Sequence, residues 1–240
     1  MAQVKVVDTE QLDEQLKQVI REAYDDSAKD EYFFVGVSGG SMPKMLVRVL
    51  KQMDNVDWKK WLFFFCDERL VPSASEESTF GTYKRLLEPP DQRLPLCLSQ
   101  FVAIDPALKS KKVAEDYLSK VRQRFDNASN MPRFHLLLLG LGPDGHTCSL
   151  FPGHRLLKET KWIAYIEDSP KPPPERITMT LPVLNNAKYC VFVVTGENKA
   201  EVVKEILEDK KQHYPAAMVQ PHSGKLVWLM DKAAGSKLKQ

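Results

Sequence analysis

The chain has 240 residues, with 34 basic against 32 acidic side chains and a net charge of +2. That length suits one large α/β domain, expected over residues 1–240, with core enough to fold without staples. The even charge balance speaks against nucleic acid or an anionic membrane as partner, and the apolar runs fall far short of the ~18 residues of a membrane span.

Residues 4–7 form a β-branched run, read as a first strand. Leu12, Leu16, Val19, Ile20 and Ala23 recur at helical spacing, so 9–29 is an amphipathic helix, with Asp8 and Thr9 at its start. Residues 32–37 make a strand. Pro43 stands in the first turn of a helix that runs to about residue 53. Residues 61–66 are nearly all aromatic and read as a strand buried on both faces, closed by Asp67, Glu68 and Arg69. A polar loop follows, then a helix over Thr79–Leu87, a proline-rich irregular stretch at 88–95, a short strand at 101–104 and a helix over 109–126. Further strands are expected at 135–139, 162–166, 176–180 and 189–195, with a last one inside 219–230. Between them lie the SPKPPP loop at 169–174, a short helix from Leu181 and a helix over 196–208. Strands alternate with helices, which predicts an α/β fold with a mostly parallel central sheet and helices on both faces.

The stretch FHLLLLGLGPDGHTCSLFPG, 134–153, organises the chemistry. A buried strand breaks into a glycine-rich loop that carries Asp144 and His146. α/β proteins place ligands at the carboxyl ends of such strands. The second key stretch is VSGGSMPK at 37–44. Gly39 and Gly40 let backbone approach an anion, Ser38 and Ser41 supply hydroxyls, and the next helix offers free N–H groups. The competing reading is a tight strand-to-helix turn that binds nothing.

Two other patterns are decoys. Gly140, Gly142 and Gly145 satisfy G-x-G-x-x-G, but Pro152 and Gly153 leave no room for the long helix that a dinucleotide needs. Gly36, Ser38 and Gly40 satisfy G-x-S-x-G, yet a nucleophile elbow usually follows several strands and only one candidate precedes this one. A metal set of His146, Cys148 and His154 lacks a regularly spaced fourth ligand, so no metal is expected. His135 reads as structural, and His213 and His222 as solvated. The four cysteines, at 66, 97, 148 and 190, form no C-x-x-C pair and read as reduced thiols. With no basic-then-apolar leader, a cytoplasmic protein is expected.

SGGSMP, CDER, GLGPDGHTCSLFPG, ERITMTLPVLNNA and VTGENKAEVV, in that order, resemble the 6-phosphogluconolactonases, in the wider family that includes glucosamine-6-phosphate isomerases. The resemblance spans about 32–230. It implies a Rossmann-like three-layer α/β/α fold and hydrolysis of 6-phosphoglucono-1,5-lactone to 6-phosphogluconate, the second step of the oxidative pentose phosphate pathway, without metal or organic cofactor. It also implies His146 as general base, Ser38, Gly39, Gly40, Ser41, Arg176 and Lys199 as phosphate grip, and Arg69 as an active-site cation. The family role of Asp67 is best defined in the isomerases. Those isomerases carry a ring-opening glutamate in the segment that here reads Ser149, Leu150, Phe151, Pro152, so the resemblance favours the lactonase. Asp144 is expected to orient the His146 ring or to hold substrate hydroxyls. The expected partner is a small sugar-phosphate lactone, met by a monomer.

Overall fold

A computed structural model describes residues 2–239 apart from Pro89, Gln92, Ser110 and 126–129. In chain order the first elements are β1 (Gln3–Val7), α1 (Leu12–Asp25), β2 (Phe33–Val37), α2 (Met42–Leu50), β3 (Trp61–Phe65) and β4 (Asp67–Arg69). Then come α3 (Thr79–Leu87), β5 (Phe101–Val102), α4 (Lys111–Arg124), β6 (Leu136–Leu139) and β7 (Ile163–Ile166). The last are β8 (Arg176–Met179), α5 (Leu181–Leu184), β9 (Tyr189–Val194), α6 (Ala200–Leu207) and β10 (Lys225–Asp231).

Seven strands form one sheet in the order β1-β10-β9-β6-β2-β3-β5, with every neighbouring pair parallel. All residues of β3, β6 and β9 are buried, so both sheet faces are covered at its centre, as a parallel sheet requires. The α1 face predicted from spacing, Leu12, Leu16, Val19, Ile20 and Ala23, is the buried one. Trp61 packs on Phe33 with centroids 4.6 Å apart, and Phe63 stacks on Phe101 at 4.5 Å. The Tyr117 hydroxyl, from α4, accepts the Phe65 N–H at 2.7 Å and donates to its carbonyl at 3.1 Å. That phenol satisfies backbone at the end of β3, beyond the two-residue ladder with β5.

Several boundaries differ from the sequence reading. A 3-10 turn, Thr9–Gln11, precedes α1, and α1 stops at Asp25, where Ser27 and Asp30 enter turns. The helix expected over 109–126 is Lys111–Arg124, and positions 110 and 126 lie outside the described residues. The larger correction concerns Asp67, Glu68 and Arg69, which do not end β3. They form β4 of a second, antiparallel sheet, ordered β4-β8-β7, that stands beside the first.

His135 braces the edge of the sheet away from that second sheet. Its Nδ1 accepts the Phe34 N–H at 2.8 Å, and its Nε2 lies 3.0 Å from Asp30. Burial, with the Lys188 ammonium acting in the same sense and Asp30 against it, lowers the imidazole pKa to about 4. Because the folded value lies below the unfolded one, this contribution is complete above about pH 6.5 and is lost as pH falls toward 4. Urea melts are expected to lose roughly 2–3 kcal/mol from this residue over that window. His135→Gln, which keeps an acceptor and a donor but cannot titrate, should flatten the slope; an unchanged slope would contradict it.

Candidate active site

From β2 the chain runs outward through β3 to β5, and from β6 it runs the other way through β9 to β10. The strand order therefore reverses between β2 and β6, and loops leaving such a point diverge and open a crevice. The four adjacent strands β9, β6, β2 and β3 deliver Lys199, His146, the Ser38 turn and β4 to that crevice. There a cleft of about 220 Å³ is lined by Ser38, Gly39, Gly40, Ser41, Asp67, Arg69, His146, Arg176 and Lys199. Asp144 stands behind the imidazole.

Each wall has a local cause. Gly40 adopts φ +67°, a left-handed turn that carries β2 into α2 with Pro43 in the first helical turn. The Ser38 hydroxyl is buried and has no hydrogen-bond partner among the described residues. Opposite it, the loop after β6 closes on itself, with the Gly142 N–H donating to the His146 carbonyl at 2.9 Å. A Cβ at Gly142 would lie 1.9 Å from His146 Nδ1, so only glycine leaves room for the ring. Asp144 Oδ1 sits 2.5 Å from that same nitrogen, and Phe151 packs against the ring at 4.8 Å. Burial lowers the His146 pKa and outweighs the Asp144 contact that raises it. For Asp144, burial pushes upward, but hydrogen bonds from His146 and Lys171 hold the carboxyl below its ordinary range.

The cation wall comes from the second sheet. Register pairs Arg69 directly opposite Arg176, and Asp67 opposite Thr178. Like charges facing each other across a ladder repel, so this pairing favours an anion between or beside them. Arg69 is partly offset by Glu77, 3.2 Å away. Arg176 is buried, which depresses its pKa, with Asp67 acting in the opposite sense. Its Nε donates to the Pro173 carbonyl at 2.9 Å, and its Nη2 to those of Lys171 and Pro172 at 2.8 and 3.0 Å. Its Nη1 points toward Ser149 Oγ at 3.5 Å, and that hydroxyl donates to Asp67 at 2.8 Å. Lys199 is held by the turn after β9. There the Asp231 carboxylate accepts the Gly196 N–H at 3.1 Å and the Ala234 N–H at 2.7 Å. Burial lowers the Lys199 pKa, and Asp231 counters it.

The family model for glucosamine-6-phosphate isomerases/6-phosphogluconolactonase matches residues 7–228. The chain belongs to this family. It is 52% identical over 211 residues to the 6-phosphogluconolactonase of Rattus norvegicus, covering 86% of this chain and 80% of that one. The Homo sapiens 6-phosphogluconolactonase is likewise 52% identical, over 212 residues, with 86% and 81% covered. Among solved structures, the 6-phosphogluconolactonase of Trypanosoma cruzi superposes with a TM-score of 0.85 at 25% identity, covering all of this chain and 98% of the other.

Within this lactonase and isomerase family fold, both decoy motifs resolve plainly. Gly145 leads into a tight turn, with Thr147 and Leu150 bridged, rather than into a helix. The Ser38 hydroxyl is not bonded to a histidine, as a serine nucleophile would be. His154 turns to Asp168 at 3.0 Å, and His213 and His222 are exposed. Sequence reading missed four contributors. Lys171 reaches Asp144 and His146, Ser149 holds Asp67, Asp231 shapes the Lys199 turn, and Glu68 is buried beneath Arg69. The Glu68 carboxylate accepts N–H groups of Arg69, Thr79 and Phe80 at 2.8, 2.9 and 2.7 Å, tying β4 to the start of α3. Burial lifts its pKa to about 7 against those three donors. Only the adjacency of Glu68 to Asp67 and Arg69 hinted at any of this.

Proposed function

We propose that this protein hydrolyses 6-phospho-D-glucono-1,5-lactone to 6-phospho-D-gluconate in the oxidative pentose phosphate pathway. The 52% identity to 6-phosphogluconolactonases over most of the chain supports this reaction within a family that also holds isomerases. The observation that carries the residue assignment is one cleft that joins an Asp144-braced imidazole to the facing pair Arg69 and Arg176.

Water attacks C1 of the lactone while His146 Nε2 takes its proton. A neutral imidazole with a lowered pKa is in the basic form at neutral pH, as the step requires. The C1 oxyanion is stabilised by Arg69. The tetrahedral adduct collapses, the bond from C1 to the ring oxygen breaks, and the imidazolium returns the proton to that oxygen. Asp144 holds the ring and balances its transient charge. Asp67, fixed by Ser149, faces the sugar hydroxyls. Ser38, Ser41, Arg176 and Lys199 grip the phosphate, whose remote binding energy seats the carbonyl against the base. The orphan Ser38 hydroxyl finds its partner in a phosphate oxygen.

The test is hydrolysis of freshly made 6-phosphogluconolactone, followed against the spontaneous rate in buffer. No acceleration, with 6-phosphogluconate still bound, would instead favour a sugar-phosphate sensor. Lys199→Met is expected to raise KM about 10–30-fold with kcat little changed, since it removes one charge-assisted phosphate contact. A fall in kcat at constant KM would place Lys199 elsewhere. We further read a monomer acting in the cytoplasm. All four cysteines are free thiols, which fits a reducing compartment. No helix among the described residues is long and apolar enough to cross a membrane.

A further inference from the structure

Lys171 lies in the proline-rich connector between β7 and β8, and its ammonium reaches the catalytic pair from outside the cleft. Nζ is 3.0 Å from Asp144 Oδ1 and 3.2 Å from His146 Nδ1. The Asp144 oxygen and the Nδ1 nitrogen are 2.5 Å apart, and two acceptors cannot approach so closely without a proton between them. Nδ1 therefore donates to Asp144, and its lone pair is not open to Lys171. The lysine's own proton goes to the same carboxylate oxygen. We infer that Lys171 is a positioning residue for the His146 base: it pins Asp144 as a double acceptor, which keeps the imidazole proton on Nδ1 and leaves Nε2 free for water. The inference rests on His146 being the base.

The connector is built to hold that ammonium still. The Lys171 carbonyl accepts from Arg176 Nη2 at 2.8 Å and from Ser169 Oγ at 2.8 Å. Residues 172–174 are all proline, which removes backbone freedom. Arg176 thus serves two parts of the site. Its Nη1 is left for the anion wall, while its Nε and Nη2 carry the loop that places Lys171. Asp144, Asp67 and Lys171 are the charged groups that act most strongly on the imidazole. Asp144 and Asp67 favour its protonation and Lys171 opposes it. Removing the ammonium therefore shifts the balance toward imidazolium, the form that cannot accept a proton from water.

The experiment is a side-chain NMR titration of His146 in the wild type, in Lys171→Met and in Lys171→Arg, with kcat/KM profiles beside it. In the wild type the neutral ring should be the Nδ1–H tautomer. In Lys171→Met the His146 titration and the acid limb of kcat/KM should move together to higher pH. The loss, about 10-fold near pH 7, should shrink in more alkaline buffer. Lys171→Arg should restore the wild-type limb. A merely structural lysine would lower activity equally at all pH values. An unmoved His146 titration in a folded Lys171→Met protein overturns the inference. Retained activity in His146→Ala overturns the base assignment instead, so the two failures read out separately.

Discussion

His146→Ala is expected to lower kcat for lactone hydrolysis by about 10³–10⁴-fold, near the upper range for loss of a general base, while 6-phosphogluconate still binds. The separation follows from geometry. The imidazole is held by Gly142, Asp144 and Phe151 on one wall, whereas the proposed phosphate grip is built on β2, β8 and the turn after β9. Removing the ring leaves those elements in place. Stopped-flow or pH-stat rates, corrected for spontaneous hydrolysis, measure the first effect and calorimetric titration with 6-phosphogluconate the second. A kcat within a few-fold of wild type would remove His146 from the reaction. His146→Gln serves as a second variant, because it keeps polarity and volume without a basic nitrogen.

Arg176→Met is expected to weaken substrate capture and to destabilise the protein at once. Truncating one member of a buried, hydrogen-bonded charge site costs roughly 2–5 kcal/mol, so kcat/KM should fall about 10²–10³-fold. The backbone carbonyls of Pro172 and Pro173 also lose their donor, and that of Lys171 keeps only the Ser169 hydroxyl. These carbonyls are partly open to water, so at about 0.5–1 kcal/mol for each hydrogen bond lost, urea unfolding should show a loss of roughly 1–3 kcal/mol. Arg176→Lys restores charge but cannot span three carbonyls with one ammonium. It should regain part of the binding and little of the stability. Equal recovery of both would show that the guanidinium's fork is not what mounts the connector. Lys199→Met lacks this second effect, because Lys199 does not carry a loop through its side chain.

Helical and strand periods lay open in the sequence because they depend on neighbours along the chain. The α1 face, the aromatic β3 and the apolar β6 are buried where their patterns said. Asp144 and His146 were legible for the same reason, since a glycine-rich loop after a buried strand is a local signal. The motif resemblance added Arg176 and Lys199, which stand in runs that alone read as ordinary surface charge. The second sheet was not legible. Asp67, Glu68 and Arg69 follow β3 without a break, and only pairing with residues 176–178, more than a hundred positions away, makes them a separate strand. Lys171 was hidden more completely, inside what reads as an exposed proline loop. Its value comes from a turn in space toward a carboxylate 27 residues earlier in the chain.

The sequence alone determined which segments would be buried strands, which helix faces would turn inward, and which glycine-rich loops would bring Asp144 with His146, and Ser38 with Ser41, to the strand ends. Those follow from side-chain periodicity and from backbone freedom at glycine, both properties of a few consecutive residues. The tertiary structure decided that β9, β6, β2 and β3 lie side by side, so that four distant loops share one crevice. It also set Arg69 against Arg176 and brought Lys171 to Asp144. Charges act through distance in space, and the sheet order that sets those distances is a property of the whole chain.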